Sequence, residues 1–256
     1  MTDLAFDGLV CDLDGVVYRG EEAIPGAAAA LNRLRETGVR LIFCTNNSRG
    51  TVTEYLDRLT RFGVTAFDSE IVTSAVVTGE VVHARWQTGA TALVVGGEGL
   101  RLALDEAGVA FVSESPADLV AVGLDFDFDY DSLRRAAHAV REGAALIATN
   151  DDAGLPTPDG VWPGAGAILA AVETAAGVHA EVMGKPHPPM MKAVALRLSG
   201  CRHIAVVGDR PETDLAGGRA HGWTTILVTS GVTRAADAGR VEPAPDLVLG
   251  SIADLA

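Results

Sequence analysis

The sequence predicts an α/β protein: a doubly wound, Rossmann-like parallel sheet with a second α/β unit inserted into it. Three observations carry that reading. Apolar runs alternate with helical patterns along the chain, the signature of parallel sheets covered on both faces. Four polar clusters sit at the ends of such runs, where open parallel sheets deliver ligands. The clusters occupy only residues 12–48 and 185–214, so the middle reads as an insertion: residues 81–182, within a core of 1–80 and 183–256.

In chain order, the strands are "GLVCDL", "VRLIFCT", "TALVVGG", "DLVAVGL", "AALIATN", "HIAVVGD" and "WTTILVT". Between them, "GAAAALNRLRETG", "RGTVTEYLDRLTRFG", "EGLRLALDEAG", "DYDSLRRAAHAVREG", "GAGAILAAVETAAG" and "PMMKAVALRLSG" read as helices. Each of these helices stops at a glycine (Gly38, Gly63, Gly108, Gly143, Gly177 and Gly200), as expected where the position after the helix needs positive φ. "DFDFDYD" lacks the Gly and Glu of a calcium loop and reads as a solvated loop entering a helix; "VVGGEGL" lacks dinucleotide spacing and reads as a strand-to-helix turn.

Composition narrows the partners. With 256 residues, 48% of them hydrophobic, the chain can bury a substantial core. The 20 Lys and Arg against 34 Asp and Glu give a net charge of −14, which opposes nucleic acid and anionic membranes and favours small molecules or metal ions. No membrane span or leader is evident, and a cytoplasmic protein is expected. Cys11, Cys44 and Cys201 share no metal or disulfide spacing, and the six histidines form no cluster; Cys11 and Cys44, which end apolar runs, read as small hydrophobes. His187, near Lys185, reads as a loop residue.

The polar clusters are Asp12 and Asp14 in "CDLDG", Thr45, Asn46 and Asn47 in "TNNS", Lys185 in "GKP", and Asp209 and Asp214 in "GDRPETD". Two carboxylates at the end of a buried strand need a cation, a hydrogen-bond cage or solvent. Residues 12 and 14 share one side of an extended chain and can face one ligand if the chain bends after Leu13, which Gly15 permits.

In this order the clusters resemble the haloacid dehalogenase superfamily, and specifically its NagD-like subfamily IIA phosphatases with a C2-type cap; the likeness extends to "VGLDFDFDYDSL" and "ATNDDAGLPTPDGVWPGAGAI" in the middle. The resemblance implies a Mg2+-dependent phosphomonoesterase acting through an aspartyl-phosphate. It makes Asp12 the nucleophile and Asp14 the acid and later the base. Magnesium is implied on Asp12, Asp209 and the backbone carbonyl of Asp14, with Asp214 orienting water or Lys185. Thr45, Asn46 and Lys185 are implied to hold the phosphate, and the cap to specify a small sugar, glycerol, glycolate or nucleotide phosphate and to support a homodimer. Asn150, Asp151 and Trp162 lie in "TNDDAGLPTPDGVWPG", which reads as a stiff loop presenting polar groups and one aromatic face; the bland reading of Trp162 is a loop anchor. A phosphomutase, or a binding protein that keeps the fold without turnover, remains open from the motifs.

Overall fold

The computed structural model describes residues 6–157 and 159–255; the start of the amino-terminal stretch and Pro158 of the proline-rich segment lie outside the described residues. The seven apolar runs are strands, at Gly8–Cys11, Arg40–Thr45, Thr91–Val95, Leu119–Val122, Ala145–Ala148, Ile204–Gly208 and Thr224–Val228. The six helical patterns form Ala27–Glu36, Val52–Arg61, Glu98–Glu106, Tyr130–Arg141, Ala165–Ala176 and Pro188–Arg197. All six helix-ending glycines have positive φ. Asp129 caps the helix that follows the acidic loop, accepting from Ser132 N at 2.8 Å.

The chain divides into two compact units: one runs to Thr45 and resumes over Thr53–Val72 and from Lys185 onward; the other comprises Asn46–Val52 and Thr73–Gly184. The first is built on a six-stranded sheet ordered Leu247–Leu249, Thr224–Val228, Ile204–Gly208, Gly8–Cys11, Arg40–Thr45, Ile71–Thr73. Gly8–Cys11 lies parallel between Ile204–Gly208 and Arg40–Thr45. The chain leaves Gly8–Cys11 toward one edge and returns on its other side, so the order reverses there. That reversal opens a crevice at the strands' carboxyl ends.

The second unit has a five-stranded parallel sheet ordered Glu181–Val182, Ala145–Ala148, Leu119–Val122, Thr91–Val95, Ala110–Phe111. Its core joins Val120, Val122, Leu146 and Ala148 of the sheet to Ala136 and Val140 of one helix and Leu169 and Val172 of another.

The short edge strands Ile71–Thr73, Leu247–Leu249, Ala110–Phe111 and Glu181–Val182 were not among the apolar runs, and two other elements depart further from the sequence reading. The helix Ser74–Trp86 was missed because "SAVVTGEVVHARW" is rich in β-branched residues and carries Gly79 mid-helix. Here packing overrides propensity: a Cβ on Gly79 would lie 2.5 Å from the Ala103 carbonyl oxygen of the neighbouring helix, so only glycine allows this approach. The segment read as a stiff loop contains a β-hairpin instead. Gly154–Thr157 pairs antiparallel with Gly160–Pro163, setting Trp162 opposite Leu155, and the Thr157 hydroxyl donates to the Gly160 carbonyl at 2.8 Å across the turn.

Candidate active site

Asp12 is the first residue beyond its strand, and its amide extends the sheet by donating to the Val207 carbonyl at 3.0 Å. The chain then turns sharply: the amides of Val17 and Tyr18 both reach the Leu13 carbonyl, and Gly15 takes φ of +82°. Sterics require glycine here as well. A Cβ on Gly15 would lie 2.3 Å from Asp209 Oδ2, and one on Gly231 would lie 1.9 Å from the same oxygen. Asp209, which follows the adjacent strand, is thus cradled by backbone, and its Oδ2 accepts from the Val232 amide at 2.6 Å.

Lys185 organises the rest. Its ammonium donates to Asp12 Oδ1 at 2.5 Å, to Asp214 Oδ1 at 2.6 Å and to the Cys44 carbonyl at 2.9 Å. Asp214 sits in a single π-helical turn, Pro211–Leu215, a local geometry often found at functional sites. Its second oxygen accepts from the Arg210 amide at 3.1 Å. Carboxylate oxygens of Asp12, Asp209 and Asp214 come within 4.8 Å of one another.

The electrostatics follow from that crowding. Burial pushes Asp12 well above the ordinary carboxylate range, Lys185 opposes the push, and Asp214 and Asp209 add to it. Burial works against charge on Lys185, but Asp12 and Asp214 outweigh it and hold the ammonium protonated. Asp209 is pushed up to about 6, by burial first and Asp214 second. Asp14 is open to solvent, yet the surrounding protein raises its pKa against Arg58, Arg210 and Lys185. Burial likewise raises the thiols of Cys11 and Cys44, the latter to about 12, which fits packing rather than nucleophilic roles.

Of the residues singled out in the sequence, Asp12, Lys185, Asp209 and Asp214 converge in the first unit. Asp14 lies on the same turn as Asp12, and buried Thr45 ends the neighbouring strand. Asn46, Asn150, Asp151 and Trp162 belong to the second unit. There Asn46 donates to Asp152 Oδ2 at 3.2 Å, while its carbonyl accepts from Asn150 Nδ2 at 2.7 Å and from Ser74 Oγ at 2.6 Å. Asn150 is buried, and its side-chain oxygen accepts from the Asp152 amide, so it braces the segment after Thr45. Asp151 and Trp162 are exposed, with Trp162 meeting Phe126 edge-on at 6.2 Å. Sequence reasoning missed the Cys44 carbonyl and the Val232 amide. Both are backbone groups, and only the fold brings them to the site.

Known proteins bear on this geometry. The family described as haloacid dehalogenase-like hydrolase matches residues 9–110, and the HAD-hydrolase-like family matches 182–255. An acid sugar phosphatase from Staphylococcus haemolyticus is 37% identical over 229 residues, covering 89% of this chain and 87% of that protein. The chain belongs to the haloacid dehalogenase-like hydrolases. Solved structures agree: the p-nitrophenyl phosphatase of Archaeoglobus fulgidus superposes with a TM-score of 0.91 at 31% identity, covering 98% of each chain. A glycerol phosphate phosphatase from Mycobacterium tuberculosis, solved with magnesium, gives 0.89 at 35% identity, covering 98% of this chain and 76% of that one. This haloacid dehalogenase-like hydrolase is a phosphoric monoester hydrolase with an inserted cap domain. No described helix is long and apolar enough to cross a membrane.

The donor set fits the family's cation. Convergent hard oxygens on a backbone cradle suit magnesium or a related divalent ion, and carboxylates that repel one another are stabilised by it. Protons compete with the cation at Asp209. Apparent magnesium affinity is therefore expected to weaken as pH falls through about 6, toward 5, because a proton must then be displaced for each ion bound. Titrations monitored by thermal shift check this; an affinity that stays flat across that interval contradicts it.

Proposed function

We propose that this hydrolase is a NagD-like, subfamily IIA phosphatase with a C2-type cap that hydrolyses a small sugar or polyol phosphate. The observation that carries the reading is the Lys185 bridge between Asp12 and Asp214, facing Asp209. A binding protein has no need of a second acid, Asp14, on the turn beside that carboxylate.

In this mechanism an Asp12 oxygen attacks phosphorus in line while the ester P–O bond breaks, and Asp14 gives its proton to the departing oxygen. Asp14 then takes a proton from water as that water attacks phosphorus, releasing inorganic phosphate and restoring Asp12. A magnesium ion on Asp12, Asp209 and the Asp14 carbonyl would neutralise charge on nucleophile and phosphate. Lys185 spends its hydrogen bonds on Asp12, Asp214 and Cys44, so it assists the phosphate chiefly through its charge. Thr45 and the Asn46 amide would bind the transferring oxygens. Asp214 holds Lys185.

The proposal assigns chemistry to the core, residues 1–80 and 183–256, and selectivity to the cap, residues 81–182, with a homodimer through the cap and a cytoplasmic setting. The sugar and polyol class rests on the names of the relatives, acid sugar phosphatase and glycerol phosphate phosphatase. Within the cap, exposed Asp151 and Trp162 would meet the leaving group, while Asn150 positions Asn46.

A panel of sugar, glycerol, glycolate and nucleotide phosphates, with and without chelator, tests the reading. Magnesium-dependent release of inorganic phosphate, highest on sugar or polyol esters, is expected. Asp151→Ala and Trp162→Ala should reorder the panel while p-nitrophenyl phosphate hydrolysis stays within about tenfold, the behaviour of lost contacts to the leaving group. An unchanged rank order would remove both residues from recognition; isomerised substrate without free phosphate would indicate a mutase.

A further inference from the structure

We propose that Arg58 is a positioning residue for Asp14, clasping the turn on which that acid is carried. The inference rests on the reading of Asp14 as the acid that protonates the leaving group.

Tyr18 anchors the turn. Its carbonyl accepts from the Gly15 amide at 2.7 Å, its own amide donates back to Leu13, and an isolated bridge pairs it with Asp14. The tyrosine is completely buried, its ring 5.7 Å from that of Phe62. Arg58, on the helix Val52–Arg61, lays its guanidinium over the Tyr18 ring at 5.2 Å and reaches Glu21 Oε1 at 3.2 Å. Glu21 lies between the short strands Tyr18–Arg19 and Glu22–Ala23, and its other oxygen is held by Arg61 at 3.0 Å. One arginine thus grips both the anchor of the turn and the tip of the hairpin that continues it. The Glu21 pair is exposed and adds little by itself. The contact with a buried aromatic face is the firmer hold.

Proton transfer makes this clasp matter. As the P–O bond breaks, its electron pair stays on the ester oxygen and Asp14 must place its proton there, which requires hydrogen-bond reach. A misplacement of about 1 Å can cost about 10²-fold. p-Nitrophenolate departs without a proton, so formation of the aspartyl-phosphate from its ester, the step that kcat/KM reports, tolerates the loss; formation from glycerol phosphate does not.

The test compares kcat and KM for glycerol phosphate and p-nitrophenyl phosphate, at saturating magnesium, in Arg58→Met, Arg58→Lys and Asp14→Asn. Arg58→Met is expected to lose about tenfold or more in kcat/KM on glycerol phosphate, within the range of general acid catalysis, and less than about threefold in kcat/KM on p-nitrophenyl phosphate, while any loss in the shared water-activating step appears in kcat on both. Arg58→Lys keeps the charge but loses the planar fork, so it should fall between wild type and Arg58→Met in the same direction. If Arg58→Met fails to fold, Arg58→Lys decides alone. Equal losses of kcat/KM on both substrates, or none, overturn the proposal. Asp14→Asn separates the two layers. A leaving-group contrast there but not at Arg58 refutes the clasp alone, whereas no contrast in Asp14→Asn refutes the acid on which it rests.

Discussion

Asp12→Asn is expected to abolish turnover, by several orders of magnitude, in a protein that remains folded. An amide cannot attack phosphorus effectively, and removing a nucleophile commonly costs as much as dismantling the whole catalytic group. The fold should survive the exchange, because Lys185 keeps Asp214 and the Cys44 carbonyl as partners. The substituted side chain also makes a poor ligand, so the thermal stabilisation that magnesium gives the wild type should largely vanish. Thermal unfolding with and without magnesium, beside phosphate release, checks both halves. Residual turnover near wild type would exclude Asp12 as the nucleophile.

Lys185→Met should damage the fold as well as the chemistry. The lysine is 4% exposed and is shared by Asp12, Asp214 and the Cys44 carbonyl. Methionine roughly conserves the volume but leaves two buried carboxylates facing each other without a counter-charge. Removing one partner of a buried ion pair costs about 3–5 kcal/mol. Two consequences distinguish this from a simple packing defect. Lower pH should restore part of the stability, because the orphaned carboxylates can protonate; magnesium should stabilise this variant by more than it does the wild type, because the ion replaces part of the missing charge. Denaturant unfolding at two pH values, with and without magnesium, reads these effects. Stability indifferent to both would show that Lys185 does not hold the cluster together.

Much of the fold was legible because the strands and most helices carry strong local patterns, from "RLIFCT" to "GAILAAVETAAG". Ser74–Trp86 was not, since its helix depends on a close approach to Ala103 that only tertiary structure supplies. The hairpin bearing Trp162 hid behind its prolines and glycines: Pro156 and Pro163 both sit in its strands, on an isolated two-stranded sheet where a missing amide is tolerated. At the site, Asp12, Lys185 and Asp209 were readable as polar residues closing apolar runs. The clamp itself was not. That one ammonium joins Asp12, Asp214 and Cys44 depends on three separate strand ends meeting, as does the seat of Asp209 between Gly15 and Gly231. Arg58 gave no signal either, because its spacing on the helix is that of any solvated arginine.

The central claim is that phosphorus passes through Asp12. The most direct measurement is acid quenching of the enzyme during turnover with magnesium and a phosphomonoester, followed by peptide mass spectrometry. The account predicts phosphate on the carboxylate of Asp12, present during turnover and absent in Asp12→Asn. Turnover with phosphate on another residue, or direct transfer of the phosphoryl group to water with no phosphorylated enzyme at any quench time, would contradict it.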